Sequence, residues 1–473
     1  MPRPVVLAAN RAPFDVDEQG RVSPAPGGLA AALAGLEQRS GRHWVACART
    51  VAERALAEGA VAAWRGDGRS LRISYAPVDP AAYALHYATV ANPALWLLHH
   101  GLAAALPEDA LGPKLHRAWH LGYRPVNSTM ASHTAAVCAR LARPAVLVQD
   151  YHLHLTAALL RGQAPHAALH HFLHVPWPEP TTWDALPAAL VRQLLVGLLG
   201  SDALAFQTPQ DAARFLATCE ERLCTRVDWA RGAVAHSGRQ VSVRAHPMPL
   251  DRERLRREAA APEVAAEATR LAARRPEWLL LRVDRADPTK NVVAGFRAYA
   301  RFLAEHPELH GRVEFWALVQ PSRLDIAMYR DHLMAVEAAA AAVNRQFERP
   351  GWQPVWLSLD HHRPTVLAAL RQFDCLLVNA ARDGMNLVAK EGALLNERDG
   401  SIVLSTATGA YNELHGCVLG VDPVDEGATA RAIHRSLTLA RGERRWRART
   451  AAHRAGARTI DDWLGEMLDD LPD

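Results

Sequence analysis

Short apolar runs rich in β-branched residues alternate along this chain with longer stretches of Ala, Leu and Arg. The runs predict strands at Val5–Ala9, Ala145–Gln149, Leu169–Leu173, Ala203–Phe206, Trp278–Val283, Val313–Leu318, Leu376–Val378 and Ile402–Ser405. The longer stretches predict helices, among them Leu29–Leu36, Leu186–Leu199, Gln210–Cys219, Val292–Ala304 and Val388–Leu395. Alternation of this kind builds parallel sheets covered on both faces. The series occurs twice, with a break at Ala245–Asp251, so two doubly wound α/β domains are expected. Ala259–Arg275 reads as a surface helix opening the second domain, and Thr459–Leu471 as an amphipathic helix carrying Trp463. Ligands of such sheets bind at the carboxyl ends of strands, which makes a cleft between the domains the expected site.

A length of 473 residues fits two domains and can bury large cores without disulfide staples. The net charge is only +4, and the densest basic run, Arg441 to Arg449, is interrupted by Gly, Glu and Trp. It reads as a solvated helix face, so no nucleic-acid partner is expected from bulk charge. Six scattered cysteines without a CxxC pair point to a reduced, cytoplasmic setting. The start, MPRPVVLAAN, is too short for a signal peptide and reads as a first strand, and no apolar stretch is long enough to span a membrane. Lysine is confined to Lys114, Lys290 and Lys390 among 54 basic residues. A lysine kept against that bias marks a place that wants a compact ammonium, although chance serves as well for Lys390.

The strongest local signal is Arg382-Asp383-Gly384-Met385-Asn386-Leu387-Val388-Ala389-Lys390-Glu391, between an apolar strand and a helix. A glycine turn at a helix start aims backbone N–H groups and the positive dipole end at one spot, which suits a diphosphate. Asp383 could accept from sugar hydroxyls, and Glu391, about two turns into the helix, could meet a ribose. A plain capped helix is the other reading. The stretch from Val283 to Asn291 (VDRADPTKN) follows another strand, and Arg285 and Lys290 can converge across the Pro288 turn on a departing diphosphate. Surface ion pairs on a loop are the alternative there.

Four weaker signals also stand at strand ends: Pro321-Ser322-Arg323, Gln149-Asp150-Tyr151-His152-Leu153, the stretch Phe172–Pro178 (FLHVPWP), and Asn10-Arg11 with Pro26-Gly27-Gly28-Leu29. Each taken singly is an ordinary loop. The runs His152/His154 and His170/His171/His174 could tempt a zinc reading, but no Cys or Asp/Glu set nearby completes a tetrahedral site, so no metal is expected. No GxGxxG, GxSxG or Walker A pattern is present.

Taken in order, ANR…GGL, DYHL, FLHVPWP, VDRADPTK, PSR and RDGMNLVAKE resemble the trehalose-6-phosphate synthase family from about residue 5 to about residue 465. The resemblance implies a GT-B fold, two Rossmann-like domains facing a deep cleft. The N-terminal, acceptor-binding domain would span residues 1–245 and the nucleotide-sugar domain 246–455, with a helix at 456–473 packing back on the first. It implies transfer of glucose from a nucleotide-glucose to glucose 6-phosphate, with retention and without a metal or other cofactor. Arg285 and Lys290 would hold the donor diphosphate, helped by Gly28 and the amides of Gly384, Met385, Asn386, Leu387 and Val388. Asp383 would hold donor sugar hydroxyls, Glu391 the ribose, and His174 would sit over the sugar. Asp150 would bind the acceptor sugar, while Arg11, Tyr87 and Arg323 would clamp its phosphate beside Trp96. The partners implied are these small molecules, with neither nucleic acid nor membrane, and a homo-oligomer is compatible with the pattern.

Three positions depart from the family. Asn291 and Pro249 stand where glycine is common, and VACART follows Trp44 where a Gly-Trp-Ser-Gly-like stretch is usual. The Pro-x-Lys-Asn form also resembles pseudo-glycosyltransferases that join cyclitols, such as validoxylamine 7′-phosphate synthase, which is kept as a second reading. A silent nucleotide-sugar binder is a third, disfavoured by the intact set Arg285, Lys290, Asp383 and Glu391. The base is not legible in these motifs, and the use of GDP-glucose by some actinobacterial members tips the expectation from UDP toward GDP.

Overall fold

The computed structural model describes residues 3–17, 19, 21–24, 43–57, 62–66, 69–360 and 362–472; the expected helix Leu29–Leu36 and the Pro26–Leu29 motif lie outside them. The chain forms two compact units, Met1–Met248 with Ile460–Asp473, and Pro249–Thr459. Each unit holds a mostly or wholly parallel sheet between helices, the GT-B type of α/β construction.

The strands of the first unit are β1 (Val5–Ala9), β2 (Phe14–Val16), β3 (Val22–Pro24), β4 (His43–Cys47), β5 (Ala62–Gly66), β6 (Arg69–Ala76), β7 (Ala145–Gln149), β8 (Ala168–Phe172), β9 (Ala203–Phe206), β10 (Val227–Asp228), β11 (Ala233–His236) and β12 (Arg239–Ala245). Ten of these make one sheet in the order β10-β11-β12-β9-β8-β7-β1-β4-β6-β5, and β2 and β3 pair separately. From β12 to β6 all pairings are parallel, and antiparallel ribbons close both edges. The second unit has β13 (Trp278–Arg285), β14 (Val313–Gln320), β15 (Val355–Ser358), β16 (Cys375–Val378), β17 (Ser401–Ser405) and β18 (Leu419–Val421), all parallel in the order β15-β14-β13-β16-β17-β18.

The two orders share one logic. In each unit the chain winds outward in one direction from its first strand, then returns to that strand and winds outward in the other. The reversal falls between β1 and β7 in the first unit and between β13 and β16 in the second. Loops leaving the carboxyl ends of two such strands diverge to opposite faces and leave a crevice for a ligand.

The central strands are apolar on both faces because helices cover both. In the second unit Leu280, Cys375, Leu377 and Val403 face one core, and Leu279, Leu281, Leu376 and Ile402 the other. The helix Ile460–Asp469 buries Ile460, Trp463, Leu464 and Met467, the spacing of one helical face, against Leu7, Trp44, Leu147 and Phe172 of the first unit. Trp463 also donates its indole N–H to the His246 carbonyl at 3.1 Å. Among the described residues no helix is long and apolar enough to cross a membrane.

Several boundaries move for local reasons. The helix expected at Gln210–Cys219 runs Pro209–Leu223, because Thr208 caps it and Pro209 suits its first turn. The helix expected at Ala259–Arg275 runs Pro262–Arg274, since Pro262 suits a first turn but not a helix interior, and a separate, unexpected helix, Arg252–Ala259, precedes it. Strand β8 sits one residue earlier than the Leu169–Leu173 run. Strands β13 and β14 each run two residues further, their ends paired as Arg285 with Gln320. Strands β2 to β6, β10 to β12, β15 and β18 escape the sequence pattern. β15 and β18 are four and three residues long, and β18 contains Gly420.

Candidate active site

The second unit's site grows from the ends of β13 and β16, the two strands at its reversal point. After β13, Asp287 is fully buried and organises the turn. Its Oδ1 accepts from the Thr289 backbone N–H at 3.0 Å and the Thr289 hydroxyl at 2.9 Å, and its Oδ2 accepts from the Arg323 guanidinium at 2.6 Å. A single turn, Pro288–Lys290, follows and ends at Asn291 in the left-handed region, φ 58°. Glycine and asparagine are the residues that adopt this conformation at least cost, so the departure from glycine at 291 leaves the backbone unchanged. The Asn291 amide adds bonds to the carbonyls of Asn379 (3.1 Å) and Pro423 (2.9 Å).

The Lys290 ammonium forms a short ion pair with Asp383, in the loop after β16. The two loops are also joined through the backbone, Ala381 N–H to the Thr289 carbonyl at 2.9 Å. Asn386 donates to Asp383 Oδ2 at 3.0 Å and accepts from Ala389 N–H at 3.1 Å, capping the helix Leu387–Leu395. The left-handed residue of this turn is Asn386, φ 77°, rather than a glycine as expected. The amides of Leu387 and Val388 open the helix, and helix-opening amides have no carbonyl partner within it. Glu391 is the fifth residue of the helix, one turn in and not two, with its carboxylate on Arg363 at 2.7 Å. Lys390 lies buried against Glu413 at 2.8 Å, which accounts for its ammonium by an ion pair within the unit.

Beneath Lys290 lies a polar layer that sequence reasoning passed over. Arg282, fully buried, reaches Asn379 and stands 3.7 Å from Asp284. Burial raises the Asp284 carboxyl to about 6, against the pull of Arg282 and Lys290, while Asp383 adds to the rise. Gly295 makes room, since a Cβ there would stand 3.2 Å from the Arg282 guanidinium. The signal was present in β13, where Arg282 and Asp284 interrupt an apolar run with period two.

The first unit's site grows from β1 and β7, again the strands at the reversal. Asp150, leaving β7 with φ 70°, accepts from the His174 backbone N–H at 3.1 Å. The His174 ring is held on both sides, Nε2 on Gln149 Oε1 at 2.9 Å and Nδ1 on the Gln207 amide at 3.3 Å. This arrangement fixes the neutral tautomer with its proton on Nε2, and burial pushes the imidazole down to about 3. Tyr87 stacks on Tyr83 and on His152, while Trp96 packs against His100 and Tyr151, so the Asp150–Leu153 loop touches both predicted aromatics. Arg11 pairs with Asp15 at 2.6 Å, and Arg49 bridges Asp15 and the buried Glu53 at 2.9 Å each. Arg49 belongs to the stretch that departs from the family pattern after Trp44.

The structure therefore brings Lys290, Asp383 and Asn386 together, with Glu391 one turn along, and Asp287 ties Arg323 to the same loop. In the first unit it brings together Asp150, His174, Tyr87 and Trp96. Arg285 is the last residue of β13, in register with Gln320. Gly28 lies outside the described residues. Sequence reasoning missed Gln207, just past a predicted strand, and named Gln149 and Asn10 only within weak motifs; the Asn10 amide reaches the Tyr83 hydroxyl at 3.2 Å.

Residues 4–473 match the profile of Glycosyltransferase family 20. The chain is 31% identical over 483 residues to a bifunctional trehalose-6-phosphate synthase/phosphatase of Thermoproteus tenax, covering 98% of this chain and 63% of that protein. It is 31% identical to a trehalose-6-phosphate synthase of Mycobacterium marinum, covering 99% of this chain and 93% of the relative. Among solved structures it resembles an α,α-trehalose-phosphate synthase (UDP-forming) from Burkholderia xenovorans in complex with glucose-6-phosphate, with TM-score 0.86, 26% identity and 99% of each chain covered. It also resembles an E. coli structure bound with UDP-2-fluoro glucose, with TM-score 0.84, 26% identity, and 99% and 98% of the two chains covered.

Proposed function

Because the chain belongs to glycosyltransferase family 20, we propose that it moves glucose from a nucleotide-glucose to glucose 6-phosphate with retention, forming trehalose 6-phosphate. The observation that carries this reading is the junction at the second unit's reversal point, where Lys290, Asp383 and the Asn386-capped helix start meet. A cation, a carboxylate and outward-facing amides within one turn of each other suit a sugar joined to a diphosphate.

In the proposed reaction the glucosyl C1–O bond to the diphosphate breaks as the acceptor's anomeric oxygen bonds C1 on the same face. The acceptor's proton passes to the departing phosphate oxygen. No side chain becomes covalently attached, and no metal ion is part of the scheme. Lys290 and Arg285 stabilise the growing phosphate charge together with the amides from Gly384 to Val388, and Gly28 is assigned to the same phosphates. Asp383, held by Lys290 and Asn386, accepts from donor hydroxyls, and Glu391, oriented by Arg363, takes the ribose. His174 is assigned a place over the donor sugar as a neutral ring, its two nitrogens held by Gln149 and Gln207. Asp150 is assigned to the acceptor sugar, and Arg11, Tyr87, Arg323 and Trp96 to its phosphate pocket. The left-handed backbone at Asn291 removes the main reason for the cyclitol-joining alternative, since asparagine there does what glycine does. The cytoplasm is the proposed location, with small molecules as the partners.

The test is nucleoside diphosphate release from UDP-glucose and GDP-glucose, with and without glucose 6-phosphate. Release that depends on glucose 6-phosphate is expected with at least one donor. Absence of release with both, or release indifferent to the acceptor, overturns the reading. Lys290→Ala and Arg285→Ala should each lower kcat by about 10²–10³-fold, with little change in acceptor KM.

A further inference from the structure

The histidine runs do not form a metal site by themselves, because successive strand residues face opposite sides of the sheet. His171 turns to the Asp150 carbonyl at 3.1 Å. His170 turns the other way, toward the helix Ile460–Asp469 that follows far along the chain. Its ring is fully buried, and neither nitrogen finds a hydrogen-bond partner. Nε2 lies 3.5 Å from Asp470 Oδ2, at the outer limit for a hydrogen bond. On the other side of that carboxylate, His246 Nε2 stands 2.6 Å from the same oxygen. One atom from each of the three residues falls within 4.8 Å of the others.

We propose that His170, His246 and Asp470 form a divalent-cation site of zinc-type chemistry that fastens the C-terminal helix to the first unit's sheet. Two imidazoles and a carboxylate are a borderline donor set suited to zinc, and a water would complete four-coordination. Metal–ligand bonds of about 2.0–2.2 Å at tetrahedral angles separate donor atoms by about 3.3–3.6 Å. The His170–Asp470 distance already has that value, and the His246–Asp470 hydrogen bond opens by under about 1 Å when a cation replaces its proton. Outer groups fit the role. Glu466 Oε2 sits 3.1 Å from His246 Nδ1, the carboxylate–histidine pairing that orients metal-bound imidazoles. Arg244 stands 3.7 Å from Asp470 Oδ1, which leaves Oδ2 turned to the histidines. The same helix carries Trp463, edge-on to Phe172 at 4.9 Å and 6.1 Å from His174, so the site braces the strand end that presents His174.

The test uses the full chain, stripped with a chelator and titrated with Zn²⁺ and separately with Co²⁺. One equivalent should bind, the cobalt form should show the visible absorption of four-coordinate ligation, and zinc should raise the unfolding midpoint by several degrees. His170→Ala should abolish the cobalt spectrum, and Glu466→Gln should weaken binding about 10–100-fold. If His170→Ala does not fold, Glu466→Gln alone decides, and unaltered affinity there overturns the proposal. The pair His306→Ala/His434→Ala removes the exposed cluster with Glu308 and should leave binding intact. Substoichiometric uptake, binding that survives His170→Ala, or binding lost with the His306/His434 pair overturns it.

Discussion

The two units share one winding order but surround its reversal with different side chains. In the second unit the strand ends carry formal charge in tight pairs, Lys290 with Asp383 and Arg323 with Asp287, above Arg282 and Asp284. In the first unit the corresponding strand ends carry Asp150 and the Arg11–Asp15 pair, and around them stand neutral imidazoles and aromatic rings, His174 pinned by two glutamines and Tyr87 stacked on Tyr83 and His152. The same topology supplies a crevice in both, and what fills it is set by side chains alone. A charged leaving group calls for cations, whereas a sugar calls for flat apolar surface and neutral donors.

The contrast should appear most strongly in acid. In the first unit burial pushes His86, His99 and His174 down to about 3 from an ordinary 6.5. A histidine whose folded value is depressed contributes stability that is present above 6.5 and lost as pH falls toward 3. At pH 5 each such group removes about 2 kcal/mol. Asp284 in the second unit has the opposite sign. Its folded value, about 6, lies above the ordinary 3.8, so its contribution is present at low pH and lost as pH rises through 6. Lowering pH from 7 to 5 should therefore loosen peptides of the first unit before those of the second. Hydrogen exchange by peptide, normalised to intrinsic rates, reads this directly; simultaneous loss in both units breaks the comparison.

A second effect should be confined to the second unit. Arg323→Ala leaves the buried Asp287 without its guanidinium, which costs about 3–5 kcal/mol for a desolvated pair. Thermal unfolding should show the loss, with exchange raised around β13 and β14 and unchanged in the first unit. A variant as stable as the parent would mean that the Arg323–Asp287 pair adds nothing to stability. The smallest effect sharpens the backbone argument. Asn291→Gly should cost no more than about 1 kcal/mol, for lost amide bonds, whereas Asn291→Val adds about 1–2 kcal/mol of left-handed strain. Equal costs in chemical denaturation would remove the case for a conformational role.

What could be read in the sequence follows the same divide. The second unit's site lies on contiguous motifs, because a short loop after a strand keeps its residues together in space. Lys290, Asp383 and Asn386 were all within reach of reading. The first unit's site is assembled from a helical run, Pro80–His99, interrupted at Asn92, and from strand ends more than fifty residues apart. No local period announces that Gln149 and Gln207 will meet the two sides of one ring. The left-handed position at Asn386 was masked by the neighbouring glycine, the more obvious candidate. Strand β4, HWVAC, was missed as a mixed run of five residues, whereas β6 did carry a signal, buried Ile73 and Tyr75 alternating with Arg72 and Ser74, that went unread.

The first unit borrows its last helix from beyond the second. Residues 460–472 leave the ribosome only after residues 249–459 have been made. Until then Leu7, Trp44, Leu147 and Phe172 face an unfilled hollow where Trp463 will sit. The second unit needs no residue from beyond its own span, while the first, though begun earlier, must wait with apolar surface open to chaperones.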